Sequence, residues 1–190
     1  MDLLNKFKQI DTNNLFHQLP VGLNPPKDVY CIVEIPTGSS NKYEYDEKIG
    51  IFKLDRVLYG AVFFPTEYGI IPKTWSETDD DPLDIMVFSS FPTFPGCIIT
   101  CRPIGVLRMT DCGEKDNKIL AVPTNDPRFS QISNLYDLPP HKKREIANFW
   151  ENYSELQPNK KIKIEGWSNK EAAWEVIKKA IKNYQEKFPD

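Results

Sequence analysis

Asp79-Asp80-Asp81-Pro82-Leu83-Asp84 places four carboxylates within six residues, directly ahead of the apolar run Ile85-Met86-Val87-Phe88. Carboxylates this close repel one another unless positive charge is supplied, and a hard divalent cation held by oxygen ligands is one supply. Strand periodicity sets Asp79 and Asp81 on one side of the backbone. Pro82 fixes its own φ and holds Asp81 extended, so a bend there brings Asp84 round to join them. The competing reading is an acidic surface turn, the ordinary fate of a charge run. An EF-hand is excluded, because that calcium loop needs Gly at its sixth position and Glu at its twelfth, where Asp84 and Ser90 stand here.

Other charged positions recur at strand ends and loops. Glu34 lies on a strand face shared with Tyr30 and Ile32, and its bland reading is a strand end in water. In Lys42-Tyr43-Glu44-Tyr45-Asp46 the charges take one face and the tyrosines the other. Arg56 sits on the next strand, Tyr68 precedes Gly69 at an expected turn, and Asp111 opens a polar loop in which Asp116 and Lys118 share a strand face. Each of these has a solvated or core-packed alternative when taken alone.

Composition narrows the chemistry. The chain has 190 residues, 40% of them hydrophobic and 27% charged, which suits one globular domain. A net charge of −3 argues against nucleic acid as the main partner, since a phosphate-backbone binder carries a basic surplus. With only His17 and His141, imidazole catalysis and histidine metal sites are disfavoured, and oxygen ligands remain. Cys31, Cys97, Cys101 and Cys112 form no C-x-x-C pair and read as free thiols of a reducing compartment, which suggests the cytoplasm. No stretch has the length of a membrane span or the form of a secretory leader, so no membrane partner is expected.

These side chains must be positioned by short strands and two helices. Residues 1–27, with Leu3, Leu4, Phe7 and Ile10 and then Pro20, Pro25 and Pro26, read as an arm laid on the core. Strands are expected over 29–35, 42–46, 51–58, 85–88, 97–109 and 119–122, giving a barrel with hairpins over 28–135. Residues 136–190 hold two helices and the strand 161–165. The first helix starts at Pro139 or Pro140 with Ile146, Phe149, Trp150, Tyr153 and Leu156 at helical spacing. Ser168-Asn169-Lys170-Glu171 reads as a capping box opening the second. The order argues α+β, with a closed or nearly closed antiparallel barrel packed against two main α-helices. No G-x-G-x-x-G or Walker A pattern supports a nucleotide fold.

Asp79 to Ile85 resembles the D-x-D-P-x-D signature of the soluble family I inorganic pyrophosphatases. The resemblance runs through Val33-Glu34-Ile35-Pro36, Asn41 to Glu44, Leu54-Asp55-Arg56, Tyr68-Gly69, Arg102 to Val106, Lys118 to Pro123 and Ile164-Glu165-Gly166-Trp167. It implies an OB-like five-stranded barrel and the Mg²⁺-dependent hydrolysis of pyrophosphate to two orthophosphates. It implies metal ligands at Asp79, Asp84, Asp111, Asp116, Glu34 and Glu44, and makes Asp81 both a ligand and the candidate base on the attacking water. Phosphate contacts and catalytic cations fall on Lys42, Arg56, Tyr68, Lys118 and Tyr153, with Glu44 beside them. A homohexamer is implied as well.

Those seven carboxylates outnumber the cations Lys42, Arg56 and Lys118 by four, so about three or four Mg²⁺ are expected with substrate, Mn²⁺ or Zn²⁺ being possible substitutes. Three departures stand out. Phe64 and Ser154 occupy positions where the family commonly has tyrosine and lysine, and Cys112 follows Asp111. Lys142 and Lys143 precede Tyr153 by on the order of 15 Å of helix and do not replace the missing cation. The expected consequence is weakened substrate binding, and Ser154→Lys should then lower KM. A catalytically weakened phosphate- or nucleotide-binding module on the same barrel is the alternative.

Overall fold

A computed structural model describes residues 14–78 and 80–189. Asp79 and the apolar positions Leu3, Leu4, Phe7 and Ile10 lie outside the described residues. The elements in chain order are α1 (Leu15–Gln18), β1 (Val29–Ile35), β2 (Asn41–Asp46), β3 (Ile51–Val57), β4 (Glu67–Ile70), β5 (Asp84–Val87), β6 (Ile98–Asp111), β7 (Glu114–Lys115), β8 (Lys118–Pro123), α2 (Pro140–Asn152), β9 (Ile162–Asn169) and α3 (Lys170–Lys187).

Hydrogen bonds run from β1 to β4, β5, β8 and β6, and β6 pairs back to β1, so five strands close into an OB-like barrel. Closure removes the free edges that would otherwise leave backbone groups unpaired. The barrel departs from a fully antiparallel one at a single seam, because β5 and β8 run parallel, with Ile85 opposite Ile119 and Val87 opposite Ala121. β6 is 14 residues long and also carries β7 and β9 beyond the barrel. Its Pro103 lacks an N–H for the ladder, and the register with β8 shifts between Pro103 and Gly105. β2 and β3 form a separate hairpin.

Two helices seal the barrel. Ile146, Phe149 and Trp150 of α2 pack with Phe64, Tyr68, Met86 and Leu120 in one buried cluster. Ala173, Ile177 and Ala180 of α3 meet Val29, Val33, Ile85 and Ala121 in another. Each large apolar side chain removed from water in this way contributes about 1.5–3 kcal/mol.

Several local expectations change. Glu67 to Ile70 is a buried strand and no turn, because Gly69 lies against β1 where an added Cβ would come within 2.0 Å of the Ile32 carbonyl oxygen. The cap of α3 is Asn169, whose side chain accepts from the Ala172 N–H, while Ser168 stays in β9 and accepts from Arg108 Nε at 3.0 Å. β9 reaches Asn169 rather than stopping at Glu165, because β6 is long enough to pair with it throughout.

Candidate active site

The parallel seam sets the centre of the site. With β5 and β8 aligned in the same direction, Asp84 and Lys118 begin neighbouring strands at the same end of the barrel. Lys118 Nζ donates to Asp84 Oδ2 at 2.7 Å, to Asp116 Oδ1 at 2.8 Å and to the Tyr68 hydroxyl at 3.1 Å. It also lies 4.6 Å from the Trp150 ring centroid. Lys118 is only 2% exposed. Burial alone would lower its pKa, but Asp116 and Asp84 outweigh burial and hold it above the usual lysine range, so it stays an ammonium.

Glu34 is buried at 7% exposure, against the bland reading of its sequence position. The β1–β4 register shifts between Val33 and Ile35, and the irregularity re-aims the intervening carboxylate. Glu34 Oε1 accepts from the Tyr45 N–H at 2.7 Å. Burial, opposed by that N–H and reinforced by Asp84 and Asp81, pushes its carboxyl up to about 8. Asp116 is raised too, chiefly by burial and by Asp84, with Lys118 opposing. Burial and the charges of Asp84 and Asp116 lift Tyr68 well above the phenol range, so it remains a hydroxyl donor.

The β2–β3 hairpin brings its cations in as a pair. Lys42 stands opposite Arg56, with a register shift between Lys42 and Tyr43. Lys42 pairs with Glu44 and lies 3.3 Å from Asp55 Oδ2, and Arg56 pairs with the same Asp55 oxygen. Asp55 has no role assigned from the sequence, yet it anchors both cations.

On the opposite wall, Asp111 Oδ2 accepts from Lys160 Nζ at 2.6 Å, while its Oδ1 is buried with no partner. The β6 terminus and the loop before β9 are bonded to each other by the Cys112 N–H and the Lys161 carbonyl at 2.9 Å. Asn159 adopts φ +64, a left-handed turn that Asn tolerates, immediately before Lys160. Tyr153 caps α2 beside the same wall and is buried.

Most of these groups, with Asp81 and Pro82, line one cavity of about 810 Å³, while Asp55 lies behind Lys42 and Arg56 and outside the lining. The structure thus gathers Glu34, Lys42, Glu44, Arg56, Tyr68, Asp81, Asp84, Asp111, Asp116, Lys118 and Tyr153 at one mouth. Sequence reasoning missed Lys160. Its signal was only a lysine after a turn, whereas Lys142 and Lys143 are absent from the lining, as expected. Ser154 is 3% exposed and is also absent from the lining, whereas Phe64, buried against Tyr68, Phe149 and Trp150, does border the cavity.

An oxygen-only donor set and an orphaned, buried Asp111 oxygen suit hard divalent cations. Among the described residues, however, no three candidate ligands are grouped closely enough to hold one ion as they stand. Lys118 sits between Asp84 and Asp116, and Lys42 and Lys160 pair with Glu44 and Asp111. Among the described residues, lysines therefore already neutralise much of the acid set.

A closed barrel with an acid-lined, lysine-studded mouth is the architecture of an enzyme that handles small, highly charged anions. The family model for inorganic pyrophosphatase matches residues 31–185. The chain is 51% identical over 160 residues to an inorganic pyrophosphatase of Geobacillus stearothermophilus, covering 84% of this chain and 96% of that one. It is 46% identical over 170 residues to one of Picrophilus torridus, covering 90% and 95%. The crystal structure of inorganic pyrophosphatase from Thermus thermophilus superposes with a TM-score of 0.87 at 42% identity, covering 90% of this chain and 99% of that one. The chain belongs to the inorganic pyrophosphatase family.

Proposed function

We propose that this chain hydrolyses inorganic pyrophosphate to two orthophosphates with Mg²⁺. The observation that carries the reading is the convergence of Glu34, Asp81, Asp84, Asp111 and Asp116 with Lys42, Arg56 and Lys118 on one cavity.

The acids that would hold the metal are Asp84, Asp111, Asp116, Glu34 and Glu44, with Asp79 and Asp81 from the same sequence motif. Bound divalent cations supply a lowered pKa for the attacking water and screen the charge of the substrate. Asp81 lies exposed at the cavity wall, where a carboxylate can accept the proton of that water. Lys42 and Arg56 bind phosphate oxygens from the hairpin side. Lys118 and the Tyr68 hydroxyl, already bonded to each other, donate from the barrel side to charge growing on the leaving phosphate. Tyr153 and Lys160 border the cavity opposite them. Lys160 stands in for the cation absent at Ser154, so substrate binding need not be weak.

The count of about three or four Mg²⁺ in turnover follows from the excess of acids over cations. Self-association is supported by apolar side chains left exposed, among them Leu54 and Val57 on β3 and Phe63, Phe91 and Phe94 in loops, and the family resemblance makes the proposed assembly a homohexamer. A cytoplasmic setting is supported by four unpaired cysteines, and no described helix is long and apolar enough to cross a membrane. The test is phosphate release from pyrophosphate with Mg²⁺ and with chelator. Release with Mg²⁺ alone supports the reading, and no release under either condition refutes it.

A further inference from the structure

The acidic loop is gripped from behind by α3. Ser76 and Asp81 form an antiparallel bridge, with N–H to carbonyl distances of 2.8 and 3.3 Å, which holds the two ends of the acidic segment together. Trp75, at its root, donates its N–H to the Ala180 carbonyl at 2.9 Å and accepts from Asn183 Nδ2 at 3.1 Å. At the far end, Asp80 Oδ1 accepts from Trp75 Nε1 at 3.1 Å and from the Lys187 ammonium. Lys187 Nζ stands 3.9 Å from the Trp75 ring centroid, within cation–π reach. One carboxylate, one indole and one ammonium thus clasp the loop to the last turn of α3.

Asp80 has φ +53, in the left-handed region that L-residues generally avoid and Asp tolerates. The path of the chain into Asp81 depends on that conformation. Such a conformation persists where the surroundings over-determine it, and the clasp is what surrounds it.

We infer that Lys187, acting through Asp80 and Trp75, is a positioning residue that sets the geometry of the metal-binding acidic loop. The inference rests on the reading of Asp81 and Asp84 as metal ligands. Lys187 lines the space around Trp75 and Asp80, outside the active-site cavity, and so acts on the chemistry only through the loop. The side chains of Asp80 and Lys187 are 77% and 37% exposed, so water screens their ion pair and its loss moves global stability little.

The test measures Mn²⁺ binding to the full chain without pyrophosphate, by titration calorimetry, beside the thermal midpoint and the Mg²⁺ concentration for half-maximal phosphate release. Lys187→Met and Asp80→Asn should each raise the Mn²⁺ dissociation constant and the Mg²⁺ requirement about fivefold. The thermal midpoint should stay near that of the wild type, and Lys187→Arg, which keeps a cation over the indole, should restore binding. Wild-type Mn²⁺ affinity in both Lys187→Met and Asp80→Asn overturns the inference. So does an affinity loss that tracks a lowered midpoint and is not restored by arginine. A wild-type chain that binds Mn²⁺ but releases no phosphate would instead refute the proposed reaction, leaving the clasp to stand or fall on the binding data.

Discussion

The ammonium of Lys118 lies 2.7 Å from the carboxylate of Asp84 because β5 and β8 run side by side in the same direction. Were that pair antiparallel, the start of one strand would face the end of the other and the two charges would be separated by the barrel's height.

Lys118→Met leaves Asp84 and Asp116 without their shared cation and removes the donor proposed for the leaving phosphate. Loss of one preorganised donor of this kind costs about 100-fold or more in kcat. Steady-state phosphate release should show that loss at saturating Mg²⁺, and a kcat within about threefold of wild type would remove Lys118 from the catalytic set.

Lys160 supplies the cation beside Asp111, on the wall nearest Tyr153. Lys160→Ala should raise KM about threefold to tenfold with a smaller effect on kcat, the pattern of lost ground-state binding. Ser154→Lys should not improve KM. Ser154 is 3% exposed and is not part of the cavity lining, so a lysine there has first to escape the core.

At the base of β4, Gly69 has no room for a side chain. A Cβ would approach the Ile32 carbonyl oxygen to 2.0 Å and force β4 away from β1. Gly69→Ala is expected to cost about 3 kcal/mol, read as a lowered thermal midpoint. Because Tyr68 is its neighbour, activity should fall even below the melting range.

His17 ties α1 to α3, its Nδ1 lying 2.6 Å from the Tyr184 hydroxyl among the rings of Phe16 and Phe188. Burial lowers its pKa, with Glu47 opposing and Lys73 reinforcing. The unfolded chain therefore takes up a proton at higher pH than the folded one. The stability contribution is full above the unfolded value near 6.5 and is lost as pH falls through the lower folded value. Glu34, raised to about 8, acts in the opposite direction in both chains, so the measurement is the difference between wild type and His17→Gln, which should shrink as pH falls from 7.5 to about 5.

Much of the barrel was legible because its strands alternate or run continuously apolar, as in Val29 to Ile35, and because α2 and α3 carry apolar faces at helical spacing. β4 was not, since Glu67-Tyr68-Gly69 reads as a turn and only the approach of β1 makes Gly69 a strand residue. Glu34, Glu44, Asp81, Asp84, Asp111 and Asp116, with Lys42, Arg56 and Lys118, all of which line the cavity, were named one by one through the family pattern, Asp79 lying outside the described residues. Their pairing was not: Asp55 beneath Lys42 and Arg56, Lys160 on Asp111 and Lys187 on Asp80 all join residues far apart in the chain or hidden by a register shift. Spacing carries no trace of such contacts.

In the proposed reaction the Asp81 carboxylate at the cavity mouth takes a proton from the attacking water while neighbouring charges hold the phosphates. Asp81→Asn keeps the shape of that side chain and removes its basicity. Phosphate release from pyrophosphate at saturating Mg²⁺ should fall by about 100-fold or more relative to wild type. An Asp81→Asn chain that turns over within about tenfold of the wild type would contradict the account.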